Sequence, residues 1–231
     1  MILFGGSHLA MIGAIVFGSI LLSVVAQRGT NWAARVGWFW TLVLILNYGM
    51  VMVVSAQRGK LTWDTSLPMQ LCDWATVLAG VVLVTRLRWS YELAYFWGLA
   101  GTLQAVLTPD LALDWPDPLF IGFFVSHGGI LLAVAVATFG YGLRPTWGSL
   151  VRAFGWAQVY LLCAGTVNWI TGGNYGYLAA KPAQASLLDY LGPWPWYIIS
   201  LEVVGLLSFV IYYLPWAIYD ALRPRPDERK T

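Results

Sequence analysis

Charge is what this 231-residue chain has least of. Asp, Glu, Lys and Arg make up 10% of it, against 59% hydrophobic residues. A soluble domain carries about 25% charged and about 45–50% apolar residues. A soluble fold of this length could not hide so much apolar surface, whereas lipid solvates it. Cysteine is scarce too. Cys72 and Cys163 both lie inside apolar segments and imply no disulfide framework. The two histidines, His8 and His127, fall in different segments, and no HxxxH or CxxC spacing exists, so neither a metal site nor another cofactor is expected. There is no phosphate-binding glycine loop and no GxSxG elbow. A net charge of +2 is too small to suggest nucleic acid. No basic residue precedes the first apolar run, Leu9 to Ala26, so it reads as a span rather than a cleavable signal. Low-complexity stretches and clear internal repeats are also missing.

What is present is a series of apolar segments. A helix needs about 20 mostly apolar residues to cross the hydrocarbon core. Seven segments come close: 7–26, 35–56, 68–85, 91–108, 119–140, 150–171 and 195–219. The expected fold is all-α, a polytopic transmembrane bundle of seven spans forming one domain over residues 1–220, with a short charged tail over 221–231. The 14 Trp and 12 Tyr suit two water–lipid interfaces.

Lys and Arg collect in cytoplasmic loops. With the N-terminus outside, ten of the 13 basic residues fall on the cytoplasmic side: Arg28, Arg35, Arg86, Arg88, Arg144, Arg152, Arg223, Arg225, Arg229 and Lys230. The outer side holds Arg58, Lys60 and Lys181, and its 108–118 segment carries Asp110, Asp114 and Asp117 with no base. An even number of spans would spoil this segregation. The orientation is therefore N-terminus outside and C-terminus cytoplasmic, with Arg58 and Lys60 as the exceptions. The basic residues need do nothing more than set topology. The tail Arg223–Lys230 suits contact with anionic headgroups.

This orientation gathers the intramembrane polar residues in the outer half. At 1.5 Å per residue, Cys72 and Asp73 lie roughly 6–8 Å below the surface, His127 roughly 12 Å and Glu202 roughly 10 Å. Gln104 and Asn168 share that half, and His8 sits at the mouth of the first span. The cytoplasmic half reads as nearly pure Val, Leu, Ala, Gly and aromatic residues. Buried ionisable groups usually face a bundle interior or a wet cavity, so a polar cavity open to the outer leaflet is expected. Interhelical hydrogen bonding is the alternative.

Three motifs carry candidate chemistry. In Ser66-Leu67-Pro68-Met69-Gln70-Leu71-Cys72-Asp73-Trp74, Pro68 suits a first helical turn. Cys72 then sits near a helix N-terminus, where partial positive charge favours a thiolate; Asp73 and burial oppose it. In Phe124-Val125-Ser126-His127-Gly128-Gly129, the glycines allow close approach of a backbone or a ligand. A Cys and a His at similar depth admit a nucleophile–base pair, though a lone membrane Cys is ordinarily packing. The third is Gly172-Gly173-Asn174-Tyr175-Gly176-Tyr177, continuing past Lys181 and Ser186-Leu187-Leu188-Asp189 to Trp194-Pro195-Trp196-Tyr197. It reads as a lid over the outer mouth or as an interfacial aromatic belt.

The combination LPMQLCDW, FVSHGG, GGNYGYLAAKP and SLLDYLGPWPWY resembles the YwaF-like integral membrane proteins of bacteria, over roughly residues 66–200. A eukaryotic relative is a cysteine-dependent acyltransferase that places polyunsaturated acyl chains on ether phospholipids. The resemblance implies Cys72 as nucleophile and His127 as its histidine partner, in a multi-pass protein of the bacterial cytoplasmic membrane acting on membrane phospholipids. Gln70, Asp73, Asn174, Tyr175, Lys181 and Glu202 are the candidate substrate-binding residues, with Gln70 or Asn174 as oxyanion donors and Lys181 on the lipid phosphate. Two other functions stay open: a carrier in which Glu202, Asp73 and His127 form a proton-coupled or substrate site, and a structural or assembly protein. The sequence does not set the oligomeric state.

Overall fold

The computed structural model describes residues 1–182 and 187–222. The tail and Ser186 lie outside the described residues. Helices α1 (Gly6–Ala26) and α2 (Thr30–Gln57) are followed by α3 (Leu71–Thr85). Next, α4 (Arg88–Trp97) continues through a π segment, Gly98–Thr102, into α5 (Leu103–Leu107). Then α6 (Pro118–Ala135) ends in a second π segment, Val136–Gly140, and α7 (Trp147–Thr171) and α8 (Trp196–Ala221) complete the chain. No strand occurs among the described residues. Five helices are long and apolar enough to cross a membrane: α1, α2, α6 with its π extension, α7 and α8. Helix α3 has 15 residues and is shorter than a full span, and the fourth expected segment is the α4–π–α5 run.

Helix α6 is the centre. In its most apolar stretch 56% of residues are buried, against 11% in α1, α2 and α8. The outer helices instead expose large apolar side chains such as Phe17, Ile45, Leu162 and Ile211, as lipid-facing surfaces do. Close approach to α6 depends on glycine. A Cβ at Gly128 would sit 2.4 Å from Ile15 of α1, and one at Gly129 would sit 2.6 Å from Leu44 of α2. The glycines beside His127 thus admit neighbouring helices. Polar side chains of α2 fasten the same seam: Trp40 Nε1 donates to Gly129 O (3.1 Å), and Asn47 Nδ2 donates to Gly122 O (3.1 Å) and Ser126 Oγ (2.8 Å).

Two sets of contacts define the ends of the bundle. At one, Ser7 donates to Asp114 (2.6 Å), and Arg58 pairs with Asp117 (3.0 Å). His8 is fully buried there: its Nδ1 accepts from Phe4 N–H (3.0 Å), so its Nε2–H donates to Val106 O (2.8 Å). Asp117 also caps α6, accepting from Leu119 N–H (2.8 Å), with Pro118 in the first turn. At the opposite end, Tyr141 Oη reaches Leu83 O (2.9 Å) and Ala33 O (3.1 Å), holding α2 against α3.

That second end is not the apolar half expected. Glu92 of α4 is buried, and its carboxylate accepts from Arg152 Nε and Nη2 (2.8 and 2.7 Å), Ser149 Oγ (2.8 Å) and Arg88 Nε (3.2 Å). Arg144 pairs with Asp220 at 2.9 Å. Arg152 therefore ties α7 to α4 and Arg144 ties the loop before α7 to α8, beyond any role in topology, while Arg88 pairs with Glu92 within α4. Ser149 is available because Thr146 and Ser149 cap the start of α7, which fixes Ser149 and Arg152 on the turn that meets Glu92.

Gly37 gives a test of helix packing, since a Cβ there would lie 2.2 Å from the Leu83 carbonyl oxygen. Gly37→Ala is expected to destabilise the protein by about 1–3 kcal/mol through overpacking. Gly13→Ala, with open space around it, should be neutral or stabilising by up to about 1 kcal/mol. Thermal unfolding in detergent compares the two. A second expectation concerns acid. The Leu119 N–H and the Arg58 guanidinium hold the Asp117 carboxyl below its usual range. A depressed folded value contributes stability that is complete above the unfolded value of about 3.9 and is lost as pH falls through the folded one. Asp117→Asn should flatten this acid limb of the melting temperature relative to wild type.

Candidate functional site

The site forms where α3 begins. Pro68 does not open the helix. The Asp73 carboxylate accepts from Gln70 N–H (2.9 Å) and sets the start at Leu71, so Leu67–Gln70 stays irregular. This backbone lies well inside the bundle, because Tyr160, eleven residues before the end of α7, donates its hydroxyl to Met69 O (3.1 Å). Irregular backbone at such depth must be satisfied by protein. The loop after α7 supplies partners. Tyr175 is fully buried; its hydroxyl accepts from Leu67 N–H (2.9 Å) and donates to Trp63 O (2.9 Å). Gly176 N–H donates to Gln70 Oε1 (3.0 Å).

The loop itself is folded. Asn168 of α7 pairs with both backbone groups of Tyr175, accepting from its N–H (2.7 Å) and donating to its carbonyl (2.9 Å). Asn174 accepts from Ala179 and Ala180 N–H (3.0 and 2.9 Å) and donates to Ala180 O (2.9 Å). Gly176 is required twice over. Its φ is +66°, and a Cβ would meet the Tyr160 hydroxyl at 2.6 Å.

Cys72 occupies the first turn of α3, and its sulfur takes a contact from the Thr102 hydroxyl at 4.0 Å. Thr102 is fully buried and belongs to the π segment, a distortion frequent at functional sites. His127 stands on α6, which packs against α3. Its Nδ1 contacts Phe123 O of its own helix (2.9 Å), and its ring stacks on Phe123 with centroids 4.1 Å apart. A carbonyl only accepts, so Nδ1 carries the proton and Nε2 presents a lone pair. No hydrogen bond joins Cys72 to His127.

The structure therefore brings Gln70, Cys72, Asp73 and Tyr175 together around the start of α3, with Asn174 in the adjoining loop. Gln70, Asp73, Asn174 and Tyr175 are engaged in holding backbone. Lys181 belongs to the same loop as Asn174, its Nζ 5.5 Å from the centroid of the Tyr197 ring, whose hydroxyl donates to Tyr177 O. Glu202 of α8 takes a short hydrogen bond from Gln158 of α7 and has none with Asp73 or His127, so the three groups of the expected carrier site are not joined. Thr102 and Tyr160 were not singled out from sequence. A threonine in a Gly-Leu-Ala-Gly-Thr stretch carries no signal until the π segment turns it toward α3.

Apolar outer helices around a glycine-seamed centre, with a polar knot at one end, make this an integral membrane helical protein. A family model described as the TMEM164 family matches residues 3–213, and the chain belongs to that family. No curated protein and no solved structure matches it.

Tyr175→Phe should leave Leu67 N–H and Trp63 O without their partner. A buried group stripped of its partner costs about 1–3 kcal/mol, so the variant should melt lower. Protease cleavage in the 62–70 loop should also increase, and limited proteolysis in detergent reads that directly.

Proposed function

We propose that this chain is a seven-span protein of the bacterial cytoplasmic membrane, N-terminus outside, and that it transfers acyl chains on membrane phospholipids through Cys72. The observation that carries the reading is the placement of Cys72. It stands in the first turn of α3, within the positive field of that terminus, against a hydroxyl presented by a π segment. His127 supports it, because its tautomer leaves Nε2 as the acceptor on a helix adjacent to α3. The resemblance of LPMQLCDW and FVSHGG to a cysteine-dependent acyltransferase family points to the same pair.

The chemistry is a two-step exchange. The thiol gives its proton to His127 Nε2, and the sulfur attacks the carbonyl carbon of a phospholipid ester. The ester C–O bond breaks, the acyl group stays on Sγ as a thioester, and the lysolipid oxygen takes the proton from His127. A lysolipid hydroxyl, or water, then attacks the thioester. Its proton passes through His127 to the departing sulfur, which restores the thiol. In the structure the sulfur turns to Thr102, so the first proton transfer requires the thiol to rotate or a water to bridge.

Cys72→Ser should reduce acyl exchange by at least 100-fold, and His127→Gln by about 10²–10⁴-fold, the range of general-base contributions. An acyl-thioester released by neutral hydroxylamine should accumulate on Cys72 of the wild type. Full lipid turnover by Cys72→Ser would sink the mechanism. Uptake of a solute into sealed vesicles that survives Cys72→Ala would point to a carrier instead.

A further inference from the structure

Lys60 is a basic residue on the side where the charge pattern expects few. Its neighbour in that exception, Arg58, is accounted for by the ion pair with Asp117 at 3.0 Å. Lys60 is exposed and has no ion-pair partner among the described residues. It opens on a depression of about 550 Å³ between the end of α2 and the loop before α3. One wall is Val51 and Met52 of α2; the rim is Ser55, Lys60, Thr62 and Thr65. No acidic residue lines it: Asp64 in the same loop is exposed and not part of the wall, and Asp117, which feels the Lys60 charge, is neutralised by Arg58.

The rim is built. Ser66 Oγ accepts from Thr62 N–H (3.1 Å) and donates to Lys60 O (3.3 Å). Thr62 and Thr65 hydroxyls lie 2.6 Å apart, with Ser66 Oγ a longer 3.3 Å from Thr65; when Thr65 donates to Thr62 across the shorter contact, the Thr62 proton is free to turn toward a ligand. An exposed cation and a hydroxyl donor above an aliphatic wall complement an amphipathic anion: phosphate oxygens on the rim, a hydrocarbon chain along α2. A free phosphate would leave the aliphatic wall unused.

We infer that this depression binds a phospholipid, with its phosphate on Lys60 and the Thr62–Thr65 hydroxyls and one acyl chain against Val51 and Met52. The site does not depend on the chemistry at Cys72 and survives if that chemistry fails. The test is native mass spectrometry of the full chain in detergent, titrated with dioleoyl-phosphatidylglycerol. Lys60→Met should lower lipid occupancy at least fivefold at half-saturation, Lys60→Arg should restore it, and Arg28→Met, a charge removed from the opposite end, should leave it unchanged. The double change Thr62→Val with Thr65→Val should weaken binding severalfold. Helical circular dichroism confirms folding of each variant. Undiminished occupancy in Lys60→Met, loss in Arg28→Met instead, or displacement of the lipid by an equal concentration of inorganic phosphate would each overturn the proposal.

Discussion

Backbone polar groups at membrane depth need partners, and in this protein that requirement is hardest to meet between Leu67 and Gln70. Lipid offers no hydrogen bonds, so a chain that stops being helical there must be satisfied by other protein groups. The loop after α7 does this. The Tyr175 hydroxyl bridges Leu67 N–H and Trp63 O, Tyr160 takes up the Met69 carbonyl, and the Gln70 side chain is itself held by Gly176 N–H. Much else follows from the arrangement. Asn168 exists in α7 to hold Tyr175, Gly176 must be glycine to pass Tyr160, and Asp73 can start α3 only where the chain has been brought to helical geometry. Cys72 is positioned one residue into that helix as a consequence.

The opposite end solves a different problem with the same economy. Four donors from three side chains, one of them Ser149 of the α7 cap, converge on one carboxylate, Glu92. A buried charge is tolerated when it is paired and its lone pairs are occupied. Here both guanidinium partners stay about half exposed, so their own desolvation is small, with side-chain exposures of 54% and 56%. The cluster ties the first turns of α4 and α7 together, while Tyr141 ties α2 to α3. The centre between the ends is left to glycine-mediated packing around α6, where dispersion and a few side chain–carbonyl bonds replace ionic contacts.

These contrasts explain what could be read from the residues. Helix existence was legible because the apolar segments are long; the caps that fix their ends, Asp117-Pro118 at α6, Thr146 at α7 and Gly172 after α7, are found in the structure. The Cys72, Asp73 and Gln70 neighbourhood was legible because its polar residues sit in one short stretch. The start of α3 was misplaced because Pro68 is a good first-turn residue, yet Asp73, in the first turn of the helix as formed, captures Gln70 N–H and sets the start at Leu71. The Glu92 cluster was missed because its members are spread over Arg88, Glu92, Ser149 and Arg152, and only the fold shows that they meet. Tyr175 and Asn174 suggest ligand contacts in sequence for the same reason: a side chain that could bind a substrate can equally bind backbone, and burial decides.

That competition bears on where a substrate could be held. Of the polar residues grouped at the Cys72 end, Gln70, Asp73, Asn168, Asn174 and Tyr175 already have backbone partners, which leaves few free donors beside the sulfur. His127 Nε2 is without a hydrogen bond, and the Thr102 hydroxyl faces Cys72. Recognition of a bulky polar headgroup by the knot itself would break the bonds that hold α3 in place. Were the sulfur the nucleophile proposed above, its lipid would be better held by the headgroup at a distance, on side chains with no structural duty, with only the apolar part near Cys72. Lys60 and its hydroxyl neighbours stand in the loop that runs directly into Leu67 and α3, and they meet that description. The two positions also differ in setting: Cys72 is packed within the bundle, whereas Lys60 is exposed at the end of α2, where a cation costs little.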